Sequence, residues 1–283
     1  MAVNGGARHL HYSLKISDRT KSYQFFVKVL GMKVLQHVEN DSGCKAECNG
    51  KFDNAWSKTV VGYGDQKHDY AFELIYNYGV TSYDYGNDFG GASIASKDLF
   101  GKLTKHFKVE YVHENKIRIH DPDGRSFYVL NQEKKHPIYQ IEIRSKCIAE
   151  SIQFWHHLIG MKMINFDHEY GPLKFTFGDN QTTLKITQLQ NGNKISRGNG
   201  YGRIAFGCDT SDLEKIEESV RHIAPSFVYK PLMSLGKGIK VLILVDNSGH
   251  EVCIVGTEAF YKNSSNDHRA GDHLLKSIEK HGE

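Results

Sequence analysis

A chain of 283 residues, 39% hydrophobic and 24% charged, can bury one large or two medium cores and lacks the composition of a disordered protein. Its 36 basic and 33 acidic residues leave a net charge of +3 and are interspersed, which argues against a nucleic-acid surface. The longest apolar runs, such as Val241-Leu242-Ile243-Leu244-Val245, fall far short of the roughly 18 residues a membrane-spanning helix needs. The opening residues show neither a secretion signal nor an Arg-rich transit pattern, so a cytosolic address is expected, with which a mitochondrial association is compatible. Five cysteines, an odd number without regular spacing, fit a reducing compartment. Cys44 and Cys48 read as two thiols near a turn rather than as half of a zinc site.

In chain order, residues 9–16 alternate as a strand, and Ser17-Asp18 then offers a helix N-cap. The helix should run toward Leu30, with Tyr23, Phe26, Val27 and Leu30 on one apolar face and Gly31 as its exit. Three strands are predicted after it, near 33–38, 58–63 and 70–76, which completes one βαβββ unit. Similar units follow at 90–131, 138–189 and 201–255, the inner strands of the second being faint.

The units repeat in pairs. Residues 22–36 read SYQFFVKVLGMKVLQ and residues 151–165 read SIQFWHHLIGMKMIN, with Ser, Gln, Phe, Gly, Met and Lys at matching places. Asp121-Pro122-Asp123-Gly124 is echoed by Asp246-Asn247-Ser248-Gly249, each a turn feeding a strand. The reading is an α+β chain of four βαβββ modules in two tandem halves, 1–132 and 137–260. A polar segment at 131–137 lies between the halves, and a polar tail, 261–283, carries a helix near 272–280 with no chemistry assigned.

Taken together, the strand around His11 to Lys15, the FFVKVLGMKVL run, Glu73-Leu-Ile-Tyr-Asn77 and Asp121-Pro-Asp-Gly resemble the glyoxalase I (vicinal oxygen chelate) superfamily. That resemblance implies paired modules whose curved sheets enclose clefts. It also implies zinc or nickel held by two ligands from each of two modules, and isomerisation of the glutathione–methylglyoxal hemithioacetal to S-lactoylglutathione, with glutathione as co-substrate. The implied ligand places fall on His11 and Glu73 in the first module and on Gly91 and Tyr128 in the second. In the third they fall on Gln140 and Lys185, and in the fourth on Arg203 and Cys253.

If the halves form an internal pseudo-dimer, for which a monomer suffices, the first module meets the fourth and the second meets the third. The first cleft then gathers His11, Glu73, Arg203 and Cys253, while Gln140, Lys185, Gly91 and Tyr128 make a second cleft unsuited to a divalent metal. Arg203 either pairs with Glu73 in place of a metal, or turns aside to bind an anionic substrate group while His11, Glu73 and Cys253 hold the ion. Lys15, Arg144 and Asn77 match the places that grip glutathione. Glu73 is the candidate base, with Arg203 as stabiliser of the enediolate. The alternative function is a non-catalytic binding or scaffolding protein with an incomplete metal site. A third, dioxygenation or epimerisation, is open, although neither cleft offers the two-His-one-carboxylate set of iron oxygen chemistry.

Overall fold

A computed structural model describes residues 6–165, 172–189 and 194–282. The first module is β1 (Arg8–Lys15), α1 (Arg19–Tyr23), β2 (Lys33–Asn40), β3 (Trp56–Gly62) and β4 (Ala71–Asn77). The second is β5 (Phe89–Ala95), α2 (Lys97–His106), β6 (Glu110–His113), β7 (Lys116–His120) and β8 (Ser126–Leu130). The third comprises β9 (Ile138–Ser145), α3 (Ile148–Ser151), β10 (Lys162–Asn165), β11 (Leu173–Thr176) and β12 (Thr183–Gln188). The fourth holds β13 (Arg203–Cys208), α4 (Leu213–Ile223), β14 (Val228–Ser234), β15 (Lys240–Val245) and β16 (Glu251–Gly256), followed by α5 (Thr257–Asn263) and α6 (Ala270–Lys280).

The repeated sequence makes a repeated shape. Asp18 caps α1 by accepting from the Lys21 amide, and the helix then widens into a π-helical stretch over Gln24–Val29. The Leu30 amide donates to the Phe25 carbonyl at 2.9 Å and the Met32 amide to Phe26 at 3.0 Å. In the third module α3 widens over Ile152–Leu158, and Ile159 and Met161 donate to Phe154 and Trp155 at 2.9 and 3.0 Å. Gly31 and Gly160 end these segments at φ 73° and 86°, a backbone region that costs side-chain-bearing residues energy. The shared Phe-to-Gly-Met spacing therefore encodes the wide turn and its exit together.

Two eight-stranded sheets result, in the orders β14-β15-β16-β13-β1-β4-β3-β2 and β10-β11-β12-β9-β5-β8-β7-β6. Each joins modules from opposite halves: β1 pairs antiparallel with β13, and β5 with β9. The first module thus meets the fourth and the second meets the third, as pseudo-dimerisation requires. The helical aromatics pack in a common core, where the Phe26, Phe72 and Phe127 rings stand 5.5 to 5.9 Å apart in pairs. Burying each such ring contributes about 1.5–3 kcal/mol.

The tail helix α6 docks rather than floating free. Leu274 and Ile278 are buried, Arg19 donates to Ser277 at 2.9 Å, and the Asp267 amide donates to the Leu35 carbonyl. Among the described residues no helix is long and apolar enough to cross a membrane.

Candidate functional site

Strand register places the expected residues on one face. Ser13 of β1 lies beside Glu73 of β4 on one side and Arg203 of β13 on the other, and Arg203 lies beside Glu251 of β16. One row away, His11 stands beside Ala205, which neighbours Cys253. Because side chains alternate along a strand, His11, Ser13, Lys15, Glu73, Asn77, Arg203, Glu251 and Cys253 all face the same concavity. Lys58 of β3 joins them, since its neighbours in the ladder make it a same-face companion of Val60, which sits opposite Glu73.

Glu73 is the hub. Its Oε2 lies 3.3 Å from His11 Nε2 and accepts from Ser13 Oγ at 3.0 Å, while Oε1 lies 3.2 Å from Lys58 Nζ. Burial opposes its charge, yet His11, Lys58 and Ser13 outweigh burial and hold the carboxyl down at about 2. Burial also pushes His11 below the usual imidazole value, against the pull of Glu73. With Nε2 turned to the carboxylate, His11 Nδ1 is a buried atom without a partner among the described residues. The tautomer that fits has the proton on Nε2, donated to Glu73, and a bare lone pair on Nδ1.

The structure corrects one alternative for Arg203. Arg203 pairs with Glu251 through Nε at 2.8 Å and through Nη2, and its Nη1 donates to the Ala46 carbonyl at 2.6 Å, so it does not pair with Glu73. The cause is register: Glu251 is its immediate neighbour on a parallel strand, whereas Ser13 stands between Arg203 and Glu73. Cys253 is pushed up to about 12 by burial, which outweighs the nearby Arg203, and stays a thiol. Lys15 is brought down to about 7 by burial despite Glu251; its Nζ donates to the Tyr201 carbonyl at 2.7 Å and sits 3.8 Å from the Tyr201 ring centroid. Asn77 donates to the Asn49 carbonyl and to Tyr83, and its side-chain oxygen accepts from Asn49.

The segment between β2 and β3 roofs this face. Glu47 accepts from Tyr229 at 2.6 Å and lies 2.8 Å from Lys230, Ala46 is buried over Ala205, and Asn49 holds Asn77. Gly50 lies at φ 86°, a conformation that favours glycine, and a Cβ there would come within 2.6 Å of Lys15 Cε. Here the structure also corrects the reading of Cys44 and Cys48 as separate thiols. They form a disulfide with Cα atoms 5.4 Å apart, because the Glu47 amide turns back onto the Cys44 carbonyl and the Gly50 amide onto Glu47. Phe260 of α5 closes another side, its ring 5.9 Å from that of His11.

A divalent metal does not suit this donor set. Both Glu73 oxygens are engaged, one by an ammonium, and Arg203 has no lone pair to give. Among the described residues no group of three or more His, Cys, Asp or Glu side chains converges as a metal site.

Arg144 stands apart from this cleft, on β9 of the second sheet, where it donates to the Asn87 carbonyl. Its neighbours by alternation are Gln140 and Glu142, and Lys185 lies 2.8 Å from Glu142. Gly91 faces them with φ 132°, and a Cβ there would meet Ser126 O and Tyr128 Cε2 at 2.8 Å, so backbone shape decides that place.

Sequence reading missed Lys58, Ser13, Glu251 and Glu142. A lysine on the same side of its strand as Trp56 and Val60 was a visible signal for Lys58. Glu251 becomes a partner of Arg203 only once parallel register is known.

The second half matches the family model "Glyoxalase domain-containing protein 4-like, C-terminal domain" over residues 147–263. "Glyoxalase 1" of Caenorhabditis briggsae is 35% identical over 280 residues, covering 97% of each chain. Mouse glyoxalase domain-containing protein 4 is 35% identical over 279 residues, 96% of this chain and 93% of its own. The crystal structure of glyoxalase I from Zea mays superposes with a TM-score of 0.76 over 92% of this chain and 95% of that one, at 24% identity, and shares the fold.

Proposed function

The chain belongs to the glyoxalase family that includes glyoxalase 1 and glyoxalase domain-containing protein 4, and from that premise we propose that it isomerises the hemithioacetal of glutathione and an α-oxoaldehyde to S-lactoylglutathione. The observation that carries the reading is the His11–Glu73 pair, whose buried Nδ1 has no partner among the described residues.

The reaction removes a proton from the carbon bearing sulfur and returns one to the neighbouring carbon. A carboxylate already held by three donors is a poor acceptor, so Glu73 orients His11 and steadies its charge instead of acting as the base itself. His11 Nδ1 takes the proton and the C–H electron pair moves into the enediolate; the imidazolium then hands the proton to the adjacent carbon, while the hydroxyl proton of the sulfur-bearing carbon passes to the neighbouring oxygen, leaving the thioester carbonyl and the new hydroxyl. Lys15, with one N–H on the Tyr201 carbonyl, supplies a cation toward the carboxylate end of glutathione, Asn77 holds the roof segment in place through Asn49, and Arg203 fixes the wall through Glu251 and Ala46. A single chain suffices, its halves 1–132 and 137–260 supplying both sides of the cleft, and we place the work in the cytosol as α-oxoaldehyde detoxification.

The test is thioester formation by purified chain with methylglyoxal and glutathione. Turnover should fall about 10²–10⁴-fold in His11→Gln. Binding of glutathione adducts without thioester formation would instead mark a non-catalytic binding protein.

A further inference from the structure

The donor set that refuses a divalent metal contains a cation of its own. Lys58 reaches Glu73 Oε1 from the next strand, 3.2 Å away, with its side chain 30% exposed and that of Glu73 10%. An ammonium has three donors, and Glu73 occupies one. Of the other cations on this face, Arg203 is committed to Glu251 and Ala46, and Lys15 sits two positions along β1 from Ser13, against the carbonyl and ring of Tyr201. Lys58 is the cation beside the His11–Glu73 pair that keeps open donors and access to the cleft.

We propose that the Lys58 ammonium takes the place of the divalent ion, neutralising Glu73, excluding zinc and nickel, and presenting its remaining N–H groups to the oxygens of a bound α-hydroxycarbonyl. An ammonium and a dication cannot share one carboxylate oxygen without strong repulsion at close range. Each would occupy the space the other needs, so the site is one or the other. The role toward substrate oxygens rests on the isomerase reading given above; the exclusion of metal does not.

The experiment therefore has two readouts. Wild-type chain, Lys58→Met and Lys58→Arg are titrated with nickel and with zinc by calorimetry, and thermal unfolding is followed with and without metal. Methionine keeps the apolar stem and removes the charge. Wild type and Lys58→Arg should take up no stoichiometric ion at the cleft, while Lys58→Met should bind nickel at least about tenfold more tightly and lose that gain in Lys58→Met/Glu73→Gln. One equivalent of metal in wild type, lost in Glu73→Gln, overturns the proposal, and so does a Lys58→Met chain with no gain in affinity.

In the thioester assay, a chelator should leave wild-type turnover unchanged. Lys58→Met should lower it about 10²–10³-fold, with Lys58→Arg recovering part. If no variant and no wild type forms thioester, the isomerase reading fails while the metal titrations still decide the exclusion.

Discussion

The two clefts are built from the same parts and end in opposite chemistry. In the first, a hydroxyl on β1 (Ser13) neighbours an acid on β4 (Glu73); in the second, an acid on β9 (Glu142) neighbours a lysine on β12 (Lys185). Glu142 is satisfied within its own sheet, by Lys185 at 2.8 Å and Thr187 at 2.8 Å. Glu73 is satisfied too, but one of its partners is an imidazole whose far nitrogen has none. One pair is closed and the other ends in a buried lone pair without a partner among the described residues. What differs is not the amount of charge but whether a reactive atom remains once the charges are paired.

The largest effect that would break this contrast is on turnover. His11→Gln and Glu73→Gln should each abolish most thioester formation, about 10²-fold or more, while Lys185→Met and Glu142→Gln should leave it within about twofold. Equal losses from both clefts would show that the second is not closed.

The next effect concerns what the clefts share. Asp121 accepts from the Arg125 amide at 2.8 Å, as Asp246 does from the His250 amide at 2.9 Å. Arg125 then donates to the Lys15 carbonyl, and His250 Nε2 bonds the Arg144 carbonyl, so each turn ties one β-sheet to the other at corresponding places. Asp121→Ala leaves a buried guanidinium with Asp123 as its one remaining carboxylate and should cost about 3–5 kcal/mol, read in urea unfolding. Asp246→Ala, which strands no guanidinium, should cost less.

These shared turns explain what the sequence made legible. Modules, helix caps, the Phe-to-Gly-Met exits and the Asp-x-x-Gly turns are local patterns, encoded within a few residues, and the structure follows them. That His11 and Glu73 share a wall was also foreseeable, because the likeness to a known plan supplied the register. Arg203 was harder, since its partner Glu251 lies 48 positions on and only parallel pairing brings the two together. The Ala46 roof was harder still: neither periodicity nor composition says which carbonyl a turn will aim at a guanidinium. Cys44 and Cys48 were judged by spacing, and the fold of the turn between them, with Glu47 at φ 53°, decided otherwise.

Acid titration sharpens the same contrast through stability. Glu73 is depressed from 4.5 to about 2, so its contribution is fully present above pH 4.5 and is lost as pH falls toward 2. The part of the shift that titrates between pH 4.5 and 2 corresponds to roughly 2–3 kcal/mol. Wild type should lose that much between pH 4.5 and 2, and Glu73→Gln should show a flatter profile over the same window.

The smallest effect isolates the substrate end of the first cleft. Lys15 is lowered from 10.5 to about 7 by burial, with Arg203 and Arg197 lowering it further against Glu251 and Asp88. It therefore carries its proton below pH 7 and loses it above, whereas an exposed lysine keeps its proton to above about pH 10. Any carboxylate held there should bind more weakly as pH rises, by up to about tenfold between pH 6 and 8, which is about 1.4 kcal/mol. S-methylglutathione titrated by calorimetry would read it, since that analogue keeps the carboxylates and lacks the reacting carbons. Lys15→Met should bind weakly and without this slope. A slope that survives in Lys15→Met would assign the titration to another group and detach Lys15 from the substrate end of the cleft.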